Sequence, residues 1–173
     1  NIKHEDSLAK SATNWNTSNP DCTLIFTNPP FGTSEGESQS DDDKEQYDVK
    51  TTKGQYLFLQ KMVNATKPGG EICTVIDEGV LNTDSGKELR KFILQNCYSR
   101  AVVSLPSETF KPNKINVKCS LLYLEKRKVV DIDLEDYTDM NMIAPENSDN
   151  IVLLVNKHFR LKDDYEPANL EWY

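Results

Sequence analysis

The sequence predicts an α/β fold, because segments typical of strands alternate with segments typical of helices along the first 127 of its 173 residues. The predicted strands are short apolar, β-branched runs that end at turn residues. The predicted helices are longer and carry apolar residues three or four positions apart. Such alternation is typical of a mostly parallel sheet with helices packed on it.

The predicted elements follow one another in a simple order. A buried strand at residues 23–27 ends at Pro29 and Pro30, which cannot continue a hydrogen-bonded ladder. Residues 32–52 are rich in Ser, Gly, Asp and Glu and lack periodicity, so we expect a long loop. The later elements are a helix at 54–67, a strand at 71–77, a helix at 84–96, and strands at 99–106 and 117–125. Weaker strand signals occur at 2–5, 129–134 and 151–155.

The ends of the two predicted helices carry recognisable signals. Pro68-Gly69-Gly70 is expected to end the first helix, and Asp84 or Ser85 could cap the second.

The connection between the last two strong strands predicts how they pair. Residues 106–116 join them and show no helical pattern. Because a parallel crossover usually needs a helix, we expect this pair to be antiparallel and to lie at one edge of the sheet. The predicted class is therefore an α/β sheet that is mostly parallel with an antiparallel edge strand.

Charge is distributed unevenly along the chain. The 20 basic and 28 acidic residues give a net charge of −8, which excludes a general nucleic-acid-binding protein, since phosphate binding needs clustered positive charge. Residues 51–128 nevertheless carry 13 bases against 7 acids, whereas residues 129–173 carry 3 bases against 11 acids. We interpret the acidic segments as solvated loops or tails, with repulsion or mimicry of a polyanion as the alternative.

Cysteine and histidine usage indicates no metal site and no disulfide framework. The four cysteines form no CxxC pair and there are only two histidines, so the cysteines are expected to be buried free thiols in a reducing compartment. No apolar run approaches the roughly 20 residues of a membrane-spanning helix. No signal peptide opens the chain, and its first residue is Asn, which suggests a processed or truncated product.

The stretch 27–32, Thr-Asn-Pro-Pro-Phe-Gly, directly follows the first predicted strand, where ligands bind in parallel α/β sheets. Asn28 offers a side-chain carbonyl acceptor, and the rigid backbone of Pro29 presents another carbonyl. Two acceptors that converge on an amino group bind its two hydrogens and favour an sp³ nitrogen with a nucleophilic lone pair. Phe31 offers a flat apolar face for stacking on a planar base. The alternative is a strand-ending turn with a buried phenylalanine.

This stretch resembles the Asn-Pro-Pro-Phe motif of S-adenosylmethionine-dependent DNA methyltransferases that act on amino groups. The resemblance extends to the methylation subunit of type I restriction-modification systems and covers about residues 1–127. The matching stretches, in the right order and spacing, are 28–32, 58–62, 67–70, 77–81, 89–96, 103–110 and 117–124. It implies a partial Rossmann-like sheet of the class I S-adenosylmethionine-dependent methyltransferases, and site-specific methylation of the N6 amino group of adenine in DNA.

The resemblance assigns the catalytic role to Asn28, Pro29, Pro30 and Phe31. Asn28 and Pro29 would hold the amino group of the target adenine. Phe31 would stack on that base after it has flipped out of the duplex, since chemistry on a base requires it to leave the stack. Transfer would be direct, with no covalent enzyme intermediate and no metal.

Two further residues match positions that the family uses. Asp6 lies where the family places an acid against the adenine of the cofactor, and Phe110 lies where it supplies a second aromatic wall for the base. From the residues alone, Asp6 could be a turn residue at a strand end, and Phe110 a loop residue packed on the core. Asp77 and Glu78 follow a strand and could line the same cleft or face solvent. The basic loop residues, which would suit DNA phosphates or simply be solvated, are Lys111, Lys114 and Lys118.

The sequence departs from the family at its beginning. The glycine-rich first motif, which cradles the methionine end of the cofactor, and the acid of the second motif are missing. We therefore expect residues 1–127 to be a methyltransferase catalytic domain truncated at its N-terminus, and 128–173 an acidic C-terminal extension. The chain alone is expected to bind S-adenosylmethionine weakly or not at all and to be inactive. Cys119-Ser120 replaces the usual Thr-Asn of the family.

The resemblance also implies partners and location. We expect double-stranded DNA with a flipped adenine as substrate, a DNA-specificity subunit and a restriction subunit as partners, no membrane, and the cytoplasm of a prokaryote. One alternative is a methyltransferase for RNA guanine or protein glutamine, which can use the same motif. The other is a non-catalytic remnant or the docking half of a split enzyme.

Overall fold

The computed structural model describes residues 4–13, 15, 17–107, 109–110, 117–128 and 152–154. These residues form a five-stranded sheet with helices packed on it. The strands are β1 (Cys22–Thr27), β2 (Thr66–Asp77), β3 (Cys97–Ser104), β4 (Cys119–Lys126) and β5 (Val152–Leu154). The helices are α1 (Asp41–Glu45), α2 (Gly54–Ala65), α3 (Gly79–Asn82) and α4 (Lys87–Asn96), with 3₁₀ turns at Glu35–Glu37 and Asp84–Gly86.

The strand order is β1-β2-β4-β3-β5. Only β1 and β2 pair in parallel; the β2–β4, β3–β4 and β3–β5 pairs of the described sheet are antiparallel. The expected antiparallel pairing of the last two strong strands is confirmed. The expected position at the edge is wrong, because β4 lies between β2 and β3. Four consecutive apolar residues in β4 (Leu121–Leu124) suit a central strand of the sheet. The described sheet is mixed rather than mostly parallel.

The strand directions bring several loops to one edge of the sheet. Strands β1, β2 and β3 run in the same direction, since β4 is antiparallel to both β2 and β3. Their carboxyl ends, and the start of β4, therefore lie at the same edge. The residues that follow β1, the residues that follow β2, and the β3–β4 connection meet there.

One face of the sheet carries the main hydrophobic core. Helices α2 and α4 supply apolar residues three or four positions apart, and these pack on alternate residues of the strands. The fully buried members of this cluster include Leu59, Met62, Val63, Ile72, Ile76, Leu89, Ile93, Leu122 and Leu124.

The opposite face is more open, which corrects the expectation that β1 is a buried strand. Ile25 is buried, but Leu24 and Phe26 on the other face are 52% and 73% exposed. Within the described residues β1 is an edge strand with β2 as its neighbour. A run of apolar residues predicts a strand, but which of its faces is covered depends on the packing of other elements.

Residues 32–52 are more ordered than the expected loop. They contain the 3₁₀ turn Glu35–Glu37 and helix α1, and Ser40 caps α1 by accepting a hydrogen bond from the backbone N–H of Asp43. The predicted cap of the second long helix is also wrong. Gly86 occupies the position before α4, and neither Asp84 nor Ser85 caps it with its side chain.

The remaining boundaries shift by a few residues. Helix α2 ends at Ala65, and β2 already includes the Pro68-Gly69-Gly70 turn that was expected to end the helix. The strand signal at 151–155 is confirmed by β5, which pairs with β3. The signal at 129–134 lies outside the described residues, as do the first two residues of 2–5, and His4 and Glu5 are not in a strand. The domain boundary after residue 127 stays a prediction.

All four cysteines are free, as expected, with Cys97 and Cys119 buried and Cys22 and Cys73 half-buried. None of the described helices is long and apolar enough to cross a membrane.

Candidate active site

The Asn-Pro-Pro-Phe motif leaves β1 at the edge of the sheet where the carboxyl ends meet. Strand β1 ends at Thr27, and the side chain of Asn28 is exposed directly after it, whereas Pro29 is buried. Pro30 is exposed, Phe31 is half-buried, and the chain turns at Gly32 with a φ of +65°. The rigid prolines therefore place an amide and an aromatic ring close together at the surface of this edge.

The ring of Phe31 meets the ring of Phe110, which belongs to the β3–β4 connection. Their centroids lie 5.5 Å apart and their planes are inclined by 55°. This tilted arrangement is favourable for two aromatic rings. Two residues that are 79 positions apart in the sequence thus form one aromatic surface, and Asn28 lies three residues before Phe31 in the chain.

The segment that follows the motif is fastened to the start of α2. The N–H of Gly36 donates to the carbonyl of Thr52 over 3.1 Å, and the N–H of Gly54 donates to the carbonyl of Thr33 over 3.0 Å. A Cβ atom on Gly36 would lie 2.7 Å from the Cα of Thr52, so only glycine allows this approach without displacement. The side chain of Glu35 lies against Gly54 at the first turn of the helix, where a negative charge is favourable.

The start of α2 is in turn joined to the end of β2. The backbone N–H of Asp77 donates to Oε1 of the buried Gln55 over 3.2 Å. The carboxylate of Asp77 accepts a 2.6 Å hydrogen bond from the N–H of Gly79, which turns the chain into α3. Hydrogen bonds from backbone N–H groups therefore hold together the segment after β1, the start of α2 and the end of β2.

Asp6 lies in a segment that packs against α1 and α2. Its carboxylate accepts hydrogen bonds from the N–H of Leu8 over 2.9 Å and from Nε2 of Gln39 over 2.8 Å. The buried Leu8 packs with Tyr47, whose hydroxyl donates to the carbonyl of Leu8 over 2.8 Å. Burial, with the nearby negative charges of Asp6 and Asp43, raises the pKa of Tyr47 above its usual range.

Lys61 anchors the same segment to α2. Its side chain is 3% exposed, and Nζ donates to the carbonyl of Ala9 over 3.0 Å and to Oε1 of Gln46 over 2.5 Å. Burial lowers the pKa of Lys61, and the carboxylates of Asp43 and Asp6 partly offset this effect. The position of Asp6 therefore depends on a buried cation and on residues that follow the Asn-Pro-Pro-Phe motif.

Cys119, which replaces the family's usual Thr, lies near the end of β2. Burial raises its pKa to about 11, and the negative charges of Asp77 and Glu78 contribute to the rise. Its Sγ donates to the carbonyl of Val117 over 3.4 Å. A thiol with this pKa is protonated at neutral pH and is not a nucleophile.

The predicted site residues are only partly brought together. Asn28, Pro29, Pro30 and Phe31 are joined by Phe110, whereas the hydrogen bonds of Asp6 go to Leu8 and Gln39. The functional roles of these six residues stay predictions. Of the basic loop residues, Lys111 and Lys114 lie outside the described part. The buried hydrogen bonds of Glu78 to Ser104 and Ser120 have no local sequence signal, because the three residues meet only in the folded sheet.

Comparisons with known proteins identify relatives of the chain. The family described as N-6 DNA Methylase matches residues 1–164. The chain is 26% identical over 126 residues to the type I restriction enzyme EcoEI methylase subunit of Escherichia coli, and the match covers 72% of the chain and 24% of that relative. The structure of a modification subunit assigned to a type I restriction enzyme of Vibrio vulnificus is 25% identical, with a TM-score of 0.58 over 72% of the chain and 26% of that structure.

A third match supports the fold class. A structure from Listeria monocytogenes, described as a class I S-adenosylmethionine-dependent methyltransferase, has a TM-score of 0.57 at 22% identity and covers 75% of the chain and 37% of that structure. The α/β, Rossmann-like class is therefore confirmed. The chain spans about a quarter of the length of the methylase subunit it matches. Because the family match extends over nearly its whole length, the chain belongs to the N-6 DNA Methylase family.

Proposed function

We propose that this chain carries the adenine-binding part of a site-specific DNA methyltransferase, which transfers a methyl group from S-adenosylmethionine to the N6 amino group of adenine. One observation carries the proposal. Asn28 and Pro29 directly follow the carboxyl end of β1, and Phe31 comes after Pro30, with its ring centroid 5.5 Å from that of Phe110. Membership of the N-6 DNA Methylase family and likeness to a methylase subunit of a type I restriction enzyme support it.

The proposed chemistry uses acceptors and a stacking surface. The side-chain carbonyl of Asn28 and the backbone carbonyl of Pro29 accept the two hydrogens of the adenine amino group, which favours an sp³ nitrogen with an available lone pair. Phe31 stacks on the flipped base, and Phe110 forms a second aromatic wall that holds the base in this orientation. When bound, S-adenosylmethionine supplies an electrophilic methyl group on a positively charged sulfur. N6-methyladenine forms when the nitrogen takes the methyl group and loses one proton to solvent, while the sulfur keeps the electron pair of the broken carbon–sulfur bond as a neutral thioether.

The residues of this chain fit only one end of that cofactor. Asp6 is exposed, and its carboxylate keeps lone pairs beyond the two hydrogen bonds from Leu8 and Gln39, so it can accept from the amino group of the cofactor adenine. The sequence has no strand followed by a Gly-x-Gly turn, which would hold the methionine end. We therefore propose that these 173 residues alone bind S-adenosylmethionine weakly. A tight, stoichiometric calorimetric titration of the chain would contradict this.

The charge of the chain suggests that DNA affinity has another source. The net charge of −8 disfavours strong binding of DNA phosphates by this chain alone. We propose that the enzyme acts with a DNA-specificity subunit and a restriction subunit, on double-stranded DNA, in the prokaryotic cytoplasm. The chain resembles a protein named as a subunit of a type I restriction enzyme, which favours DNA over RNA guanine or protein glutamine as the substrate.

Product analysis tests the proposal. The full-length protein, with the subunits it requires, is incubated with methyl-labelled S-adenosylmethionine and DNA, and the digested nucleosides are separated by mass spectrometry. We expect the label in N6-methyladenine. Label in RNA guanosine or in protein glutamine, when these are offered under the same conditions, would contradict the proposal.

A further inference from the structure

Glu78 lies at the end of β2 and is almost completely buried, with 9% of its surface exposed. Its Oε1 accepts hydrogen bonds from the hydroxyls of Ser104 over 3.0 Å and Ser120 over 3.1 Å. Its backbone N–H donates to the carbonyl of Lys118 over 3.1 Å. A buried carboxylate is costly unless such donors surround it, and hydrogen bonds to a charged acceptor are stronger than neutral ones.

The partners of Glu78 mark both ends of the β3–β4 connection. Ser104 is the last residue of β3, Ser120 is the second residue of β4, and the two face each other in the ladder. Both are fully buried. A further hydrogen bond of 3.0 Å, from the N–H of Leu105 to the carbonyl of Cys119, joins the two ends of the same connection. One carboxylate oxygen thus binds the last residue of β3 and the second residue of β4, which flank the connection.

The connection carries Phe110. The N–H and the hydroxyl of Thr109 both donate to the carbonyl of Pro106, over 3.0 Å and 2.6 Å, and this turn directs the next residue toward Phe31. The ring contact between Phe31 and Phe110 requires a fixed position of the connection relative to β1. Strand β2 provides that reference, because it pairs with β1 on one side and carries Glu78 at its end.

We propose that Glu78 is a positioning residue, which holds together the two ends of the β3–β4 connection so that Phe110 meets Phe31 as the second wall of the adenine pocket. The proposal rests on the proposed function, which identifies the nucleobase in the pocket as adenine. Glu78 acts through Phe110 and does not touch the substrate. Its removal is expected to weaken the capture of the flipped base rather than the methyl transfer itself.

Three variants separate this role from general stability. Glu78→Leu removes the acceptor, whereas Glu78→Gln keeps a carbonyl oxygen at the same place. The double variant Ser104→Ala/Ser120→Ala removes the two donors and leaves the carboxylate. Ser99→Ala is the matched control, because Ser99 is a buried serine of the same strand, and its hydroxyl has no partner within the described part of the chain.

The first readout does not depend on activity. Hydrogen exchange is followed in the full-length protein, in peptides that cover residues 105–118. We expect exchange to quicken by at least about tenfold in Glu78→Leu and in the serine double variant, since each loses hydrogen bonds at the base of the connection. Ser99→Ala and Glu78→Gln should match the wild type within about threefold. Unchanged exchange in the serine double variant would overturn the proposal, even where Glu78→Leu fails to fold.

The second readout is a double-mutant cycle on methylation. We expect Glu78→Leu to raise KM for DNA by about tenfold or more and to change kcat much less, because the adenine loses an aromatic wall of its pocket. In a Phe110→Ala background the same substitution should have almost no further effect. Independent, multiplying effects of the two substitutions would overturn the role through Phe110. If the wild type makes no N6-methyladenine, the proposed function fails, and the exchange readout still decides whether Glu78 holds the connection.

Discussion

The chemistry of the candidate site depends on a few side chains that point to the same edge of the sheet. Asn28 offers an amide oxygen at the surface, and Phe31, three residues later, contacts the ring of Phe110. Neither group needs to titrate, since an amide and a phenyl ring keep their state across the physiological pH range. The candidate site can therefore hold a neutral amino group without a general base from the motif itself.

Cys119 allows a test of direct transfer at this scale. Its pKa of about 11 leaves it protonated at neutral pH, so it cannot form a covalent intermediate with the base. We expect Cys119→Ser to keep methylation within about threefold of the wild type, since Ser is close in size. Methylation kinetics of the full-length variant check this, and a loss of several hundredfold would contradict direct transfer.

The same thiol gives a pH dependence of stability. Because its pKa is raised in the folded state, from an ordinary value of 9.0 to about 11, the unfolded state loses its proton first as the pH rises. The stabilising contribution is therefore complete below pH 9 and disappears as the pH rises toward 11. Chemical unfolding of the wild type and Cys119→Ser at pH 8 and pH 10.5 should show a smaller alkaline loss in the variant. An equal loss in both would contradict the assignment.

The sequence predicted single residues well where a motif is local and poorly where partners are distant. The motif at 28–31 could be identified because its spacing and the strand before it are contiguous. The burial of Glu78 could not, because its acceptor role arises only when β4 lies next to both β2 and β3 and brings Ser104 and Ser120 together.

At the scale of elements, residues 33–36 form a tight joint with residues 52–54, in which the two backbones approach closely. A Cβ on Gly36 would lie 2.7 Å from the Cα and 2.9 Å from the carbonyl oxygen of Thr52, and these backbone atoms cannot move away without displacing the segment. A Cβ on Gly54 would meet mainly the end of the flexible Glu35 side chain. The two glycines thus differ in what a methyl group would displace.

Gly36→Ala is therefore expected to lower the free energy of unfolding by about 1–3 kcal/mol, as an overpacked site does. Gly54→Ala is the control from the same joint and should cost less, because the Glu35 side chain can rotate away. Chemical denaturation of both variants measures the difference. If Gly36→Ala matches the wild type, or Gly54→Ala costs more, the joint is not as tight as the distances indicate.

Most elements could be predicted from periodicity, but their neighbours could not. The apolar spacing of α2 and α4 and the apolar runs of β1 to β4 are local signals. The position of β4 between β2 and β3 depends on which strands pair with its two edges, and these strands are distant in the sequence. The apolar run of β1 predicts a buried strand, but Leu24 and Phe26 are exposed in the fold. The helix α1 was missed because three successive aspartates suggest a solvated loop, although Ser40 caps it.

At the scale of the whole molecule, β1 presents an unusual surface. Leu24 and Phe26 are exposed on the face opposite the core, and no described strand pairs with the outer edge of β1. Exposed apolar residues on an open strand edge promote association between chains.

We expect the 173-residue chain, expressed alone, to self-associate through this face. Phe26→Lys should shift the chain toward monomer in sedimentation velocity experiments, because it places a charge on the exposed face. Thr23→Lys is the matched control, since it adds the same charge to another exposed residue of the same strand. Equal effects of the two substitutions would show that net charge, and not this face, controls association.

The central claim, that Asn28 holds the amino group of adenine, is tested most directly by Asn28→Ala in the full-length protein. Rates of N6-methyladenine formation are compared with those of the wild type and of Gln95→Ala, which removes an exposed amide from α4. We expect Asn28→Ala to reduce kcat by at least about 10²–10³-fold, as the loss of one transition-state hydrogen bond does, and Gln95→Ala to have no effect. Methylation by Asn28→Ala at the wild-type rate would contradict the claim and favour the reading of this chain as a non-catalytic half.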